Sequence, residues 1–105
     1  MLSTLKKILG IGPKVDFSEL VKENAIILDV RTKGEYGSGH ISGSVNIPVD
    51  QLQMNLHKFK DKKRPIITCC ASGMRSSSAK EIFISNGYTN VHNGGSWQSL
   101  NNKLR

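Results

Sequence analysis

The chain is short of everything that would staple it, thread it through a membrane or stack it on nucleic acid. Of its 105 residues only two are cysteines, and they are neighbours, Cys69 and Cys70. A disulfide between sequence neighbours is strained, so the disulfide-stapled class of small domains is excluded. A reduced, cytoplasmic protein is the expectation. Aromatic residues make up 6% of the chain, and none interleaves with basic residues as base-stacking proteins require. No specific nucleic-acid partner is therefore expected. No apolar run approaches membrane-spanning length, so no transmembrane segment is expected. Acidic residues are scarce too: 8 against 15 Lys and Arg, a formal charge of +7. That balance favours small anions and acidic partners.

What is present fits one ordinary soluble domain. Apolar residues make up 37% of the chain, and its length suffices for one core and not for two. Lysines lie inside the apolar start, Leu2, Leu5, Ile8 and Leu9, so the charge-first order of a secretory signal is absent. On a short helix those four residues would share one face, suited to packing on the domain or to weak contact with a membrane surface. Gly10-Ile11-Gly12-Pro13 then breaks the chain. Residues 1–13 read as an N-terminal extension and 14–105 as the domain.

Within the domain, short apolar runs alternate with helical patterns. Asp16 and Glu19 suit the start of a helix carrying Phe17, Leu20 and Val21, which Asn24 ends. Ala25–Val30 is continuously apolar except for Asp29, the mark of a strand buried on both faces. Thr32–Tyr36 predicts one helical turn, and Val45-Asn46-Ile47 a second strand stopped by Pro48. Val49, Leu52, Leu56 and Phe59 have helical spacing, and Lys58, Lys60, Lys62, Lys63 and Arg64 suit that helix's end. Pro65–Cys69 predicts the central strand, Arg75–Asn86 a helix with Ala79, Ile82 and Phe83 inward, and Asn90-Val91-His92 a fourth strand. Asn93-Gly94-Gly95 reads as a turn before a last helix capped by Ser96, with Trp97 and Leu100 inward. The order implies an α/β fold: a small parallel sheet with helices on both faces.

The chemistry concentrates in Cys70-Ala71-Ser72-Gly73-Met74-Arg75-Ser76. A thiol at a strand-to-helix turn meets free backbone N–H groups and the positive end of a helix dipole. That setting lowers a thiol pKa and makes a nucleophile. Cys69 alternates to the other face of the strand, which is a core position. Gly73 can adopt a conformation barred to larger residues. Arg75 supplies a cation, either for an anionic donor or paired with a carboxylate such as Asp29. Arg31 and Glu35 are read as an ion pair shaping the site or as solvated charges. His40 reads as a structural hydrogen-bond residue rather than a proton shuttle. Ser76, Ser77 and Ser78 are read as helix-start residues. Four residues separate Cys70 from Arg75. The phosphate-handling loops of tyrosine phosphatases and arsenate reductases have one more, and a shorter loop makes a smaller anion cradle.

Three segments together resemble the rhodanese family. Leu28-Asp29-Val30-Arg31, with Glu35-Tyr36 and Gly39–Pro48, resembles its first signature; Cys70–Ser76 resembles its active loop; Asn90-Val91, Gly94-Gly95 and Trp97 resemble its C-terminal segment. The likeness spans residues 14 to 100. It departs from the pattern where Trp97 follows the glycine pair closely. The resemblance implies a sulfurtransferase in which Cys70 takes the outer sulfur of a small anionic donor such as thiosulfate. The persulfide then passes it to cyanide or a thiol. It implies Cys70 as nucleophile, a substrate loop of Ala71, Ser72, Gly73, Met74 and Arg75, and support from Asp29, Arg31, Glu35, His40 and Ser76. No metal or organic cofactor is implied, because sulfur itself is the group carried. A carrier loaded by a protein donor, or an interaction module on the same fold, is the alternative.

Overall fold

The computed structural model describes residues 15–105, so the expectations for the first apolar residues and for the break at Gly10–Pro13 lie outside the described residues. The elements follow as α1 (Phe17–Lys22), β1 (Ile26–Asp29), α2 (Lys33–Ser38), β2 (Val45–Asn46), two 3-10 segments (Val49–Gln51 and Gln53–Lys58), β3 (Ile66–Cys70), α3 (Met74–Ser85), β4 (Val91–Ser96) and α4 (Trp97–Lys103). The four strands form one parallel sheet in the order β2-β1-β3-β4. Parallel pairing requires a crossover between strands, and the helices that supply it cover both faces.

The two faces bury separate apolar clusters. On one, Leu28, Ile66, Cys70 and Val91 of the sheet pack against Ala79 and Phe83 of α3 and Leu52 of the 3-10 region. On the other, Ile27, Ile67 and Cys69 pack against Leu100 of α4, with Phe17 and Leu20 of α1 alongside. The period of two along β3 thus sends the neighbouring cysteines to opposite sides of the sheet.

Local chemistry sets the element ends. The Asp16 carboxylate accepts the Glu19 N–H at 3.1 Å and caps α1. Thr32 and Glu35 form a full capping box on α2, the Thr32 hydroxyl accepting the Glu35 N–H and the Glu35 carboxylate accepting the Thr32 N–H. Ser96 caps α4 through the Ser99 N–H.

Two expectations are corrected. The segment after Pro48 is not an α-helix but two tight 3-10 segments meeting at Leu52, which is fully buried. The stretch Asn93-Gly94-Gly95 is not a turn but part of β4, which runs to Ser96. Its glycines serve close packing: a Cβ on Gly94 would lie 2.9 Å from Ile67 Cγ2, Leu100 Cδ2 and the Thr68 carbonyl oxygen. Register shifts between Thr68 and Cys70, so β4 passes the end of β3 with an irregularity.

Candidate active site

Cys70 is the last residue of β3, at the C-terminal edge of the sheet where open parallel sheets bind ligands. The chain turns at Gly73, whose φ of 102° is left-handed, and enters α3, twelve residues long. The turn folds back over the sulfur. Gly73 N–H donates to Cys70 Sγ at 3.0 Å and Ser76 N–H at 3.4 Å. A side chain at Gly73 would be strained by that φ, and its Cβ would touch the backbone of Gly95 at 3.4 Å. Burial pushes the Cys70 thiol up. The Ser76 hydroxyl, when turned to the sulfur, and the N–H groups of Ser76, Gly73 and Ser72 outweigh it, so the thiol sits below the ordinary cysteine value. Cys69 has no such donors. Burial, and then the nearby Asp29 carboxylate, push its pKa up to about 12, which leaves it an inert core thiol.

Arg75 leaves the first turn of α3 and meets Glu35 of α2. Its two terminal nitrogens reach the two carboxylate oxygens at 2.7 and 2.9 Å. This bidentate hydrogen bond, with the Thr32 N–H of the capping box, lowers the Glu35 pKa to about 2. The expected partners are therefore exchanged. Arg75 pairs with Glu35, not Asp29, and Arg31 pairs with Asp29, not Glu35. The reason is reach. Arg31 folds back inside the protein, where Nη2 meets Asp29 Oδ2 at 2.7 Å and the Gly39 carbonyl at 2.6 Å. Its guanidinium carbon lies 4.8 Å from the Trp97 ring centre. Asp29 and Arg31 are buried and tie β1, the Gly39 loop and α4 together. Glu35 and Arg75 stand half-exposed.

A family model for the rhodanese-like domain matches residues 14–102. The chain belongs to that family. The rhodanese-like chain is 32% identical over 74 residues to thiosulfate sulfurtransferase PspE of Escherichia coli, covering 70% of this chain and 71% of PspE. It is 35% identical over 69 residues to YqhL of Bacillus subtilis, covering 66% of this chain and about half, 54%, of that relative. Among solved structures, a rhodanese with anions from E. coli superposes with a TM-score of 0.67 at 32% identity, covering 71% of this chain and 89% of the other. The human single-domain sulfurtransferase TSTD1 superposes with a TM-score of 0.70 at 28% identity, covering 79% and 86%.

Besides the two ion pairs, the residues singled out in the sequence of this rhodanese-like domain fall into three groups. Cys70, Gly73 and Ser76 meet at the sulfur. Ala71, Ser72 and Met74 form the exposed rim of the loop, Met74 being 79% exposed. His40 stays outside the loop: its Nδ1 lies 2.7 Å from the Tyr36 carbonyl oxygen and its ring stacks on Tyr36 with centroids 3.7 Å apart. Ser76 is more than a helix-start residue, because it is fully buried against Cys70. Two contributors were not singled out. Thr32 orients Glu35, and the T-x-x-E spacing of a capping box could have shown it. Asn93 accepts from the Ser76 hydroxyl at 2.6 Å; an asparagine before two glycines reads as a turn, which hid it.

Proposed function

We propose that this protein is a sulfurtransferase working through a persulfide on Cys70. The Cys70 thiolate attacks the outer sulfur of a donor such as thiosulfate. The sulfur–sulfur bond of the donor breaks, sulfite leaves with the electron pair, and Cys70 carries the new persulfide. A thiol or cyanide then attacks that outer sulfur, taking it as persulfide or thiocyanate, and the Cys70 thiolate returns. The observation that carries this reading is the convergence of the Gly73 and Ser76 N–H groups on Cys70 Sγ. Fixed backbone dipoles stabilise anionic sulfur without rearranging during the reaction. The loop between Cys70 and Arg75 is too short for the wider cradle of a phosphatase. PspE and a Saccharomyces cerevisiae thiosulfate:glutathione sulfurtransferase, 32% identical over 80 residues, support the same chemistry.

Cys70 is buried, and the residues of its loop that reach the surface are Ala71, Ser72 and Met74. That rim favours one second reading, a carrier loaded by a protein persulfide that docks on the exposed Met74. Both cysteines are free, which fits a reducing, cytoplasmic setting. Among the described residues no helix is long and apolar enough to cross a membrane. The test is turnover of thiosulfate with cyanide by the parent and two variants. Cys70→Ser loses turnover and Cys69→Ser keeps most of it; the reverse pattern overturns the assignment. Faster loading from a protein persulfide than from thiosulfate selects the carrier reading.

A further inference from the structure

The Ser76 hydroxyl has one proton, two oxygen acceptors within reach and the Cys70 thiol as a donor beside it. Asn93 Oδ1 lies at 2.6 Å, the Gly73 carbonyl oxygen at 3.0 Å and Cys70 Sγ at 3.5 Å. The shortest contact holds the proton. Ser76 then turns a lone pair to the sulfur and accepts the Cys70 S–H, giving a chain from thiol to hydroxyl to amide oxygen. The amide of Asn93 cannot turn over to release that proton. Its Oδ1 also accepts the Gly95 N–H at 2.9 Å, and its Nδ2 donates to the Gly73 carbonyl at 3.3 Å. A flipped amide would set an N–H against the Gly95 N–H.

We propose that Asn93 is a positioning residue that works through Ser76, holding the hydroxyl proton away from Cys70. A bare thiolate draws the hydroxyl to itself only by breaking the short Ser76–Asn93 hydrogen bond. The inner sulfur of a persulfide has no proton and little charge, so the hydroxyl stays with Asn93. The backbone N–H groups are then left for the outer sulfur. Asn93 thus tilts the site from bare thiolate toward loaded cysteine. This consequence rests on the sulfur-transfer reading; the placement of the hydroxyl proton does not.

The other groups around the sulfur stay in place when Asn93 is changed. Arg75 is paired with Glu35 and Arg31 with Asp29. Cys69 is a neutral core thiol. His92, beside Asn93 on β4, faces Asn90 Oδ1 at 2.8 Å, and burial holds its ring below the ordinary histidine range.

The experiment follows iodoacetamide alkylation of Cys70 against pH, with the labelled cysteine mapped by peptide mass. Asn93→Ala frees the hydroxyl for the thiolate, and the midpoint falls by roughly half a pH unit to one unit, the size of one hydrogen bond. Asn93→Leu, which keeps the volume without an acceptor, repeats the test if the alanine variant does not fold. Asn93→Asp keeps the acceptor and adds a negative charge, so its midpoint rises. A side chain that only braced the loop would give a rise in every variant, since a slack loop loses its converging N–H groups. A rise or no change with Asn93→Ala or Asn93→Leu overturns the proposal. Alkylation needs no sulfur donor. Should the midpoints move as expected in a protein that takes no sulfur from thiosulfate or a persulfide, the sulfurtransferase reading fails alone.

Discussion

Gly94→Ala tests how closely β4 passes between β3 and α4 at the glycine pair. The added methyl would sit 2.9 Å from three atoms: Ile67 Cγ2 on β3, Leu100 Cδ2 on α4, and the Thr68 carbonyl oxygen. The two methyl groups belong to fully buried side chains, and the oxygen belongs to the central strand. The strand backbone has little room to yield, so α4 or β4 must move outward. Overpacking a close-packed core by one methyl costs about 1–3 kcal/mol. For a domain of this size each kcal/mol lowers the melting temperature by roughly 4–8 °C. A fall of at least about 4 °C in a thermal melt followed by circular dichroism is expected. The loss reaches the site, because Asn93 precedes Gly94 and the Thr68 hydroxyl holds the Ser76 carbonyl at 2.8 Å. Gly34→Ala is the control. It lies within α2, where an added Cβ meets nothing within 4 Å, and alanine there adds about 0.5–1 kcal/mol. If Gly94→Ala melts within about 2 °C of the parent, the strand does not pass Leu100 as described.

Three further outcomes are expected. Glu35→Gln removes the ion pair with Arg75 and lowers stability only slightly, since both partners are half-exposed and water screens the pair. The Glu35 pKa is depressed from 4.5 to about 2, so the pair's contribution is complete above pH 4.5 and disappears as pH falls through about 2. Parent and variant should converge in stability across that window, and a constant gap down to the lowest pH contradicts the pairing. Cys69 is raised from 9.0 to about 12, so its neutral thiol contributes fully below pH 9 and loses that contribution as pH climbs toward 12. Cys69→Val should therefore soften the alkaline fall in stability; equal slopes for parent and variant argue that Cys69 is not buried as a thiol. Inserting one glycine between Gly73 and Met74 should abolish most thiosulfate turnover, because the N–H groups no longer converge on one sulfur. Near-parental turnover after the insertion would show that loop length does not select the chemistry.

The parallel sheet could be read before the structure because its strands are short apolar runs separated by helical patterns. The sulfur loop could be read because Cys70, Gly73 and Arg75 lie close together in the chain. What escaped is what depends on reach across the fold. Asp29, Glu35, Arg31 and Arg75 were all singled out, yet their pairing was exchanged. Whether a guanidinium folds inward over Trp97 or outward to α2 is decided by burial, not by spacing. Asn93 was hidden by local propensity: Asn-Gly-Gly favours a turn, and packing on Leu100 and Ile67 overrides it. The 3-10 geometry after Pro48 escaped because Val49, Leu52, Leu56 and Phe59 have the three-and-four spacing of an α-helix, while the chain forms two short 3-10 segments instead.

The most direct test of the central claim is the mass of the protein after incubation with thiosulfate and removal of small molecules. The account predicts a gain of one sulfur atom, mapped to the peptide containing Cys70 and lost on treatment with cyanide or a thiol. It also predicts that Cys70→Ser shows no gain. No added sulfur on the parent from either thiosulfate or a persulfide donor, or sulfur found on Cys69 instead, would contradict it.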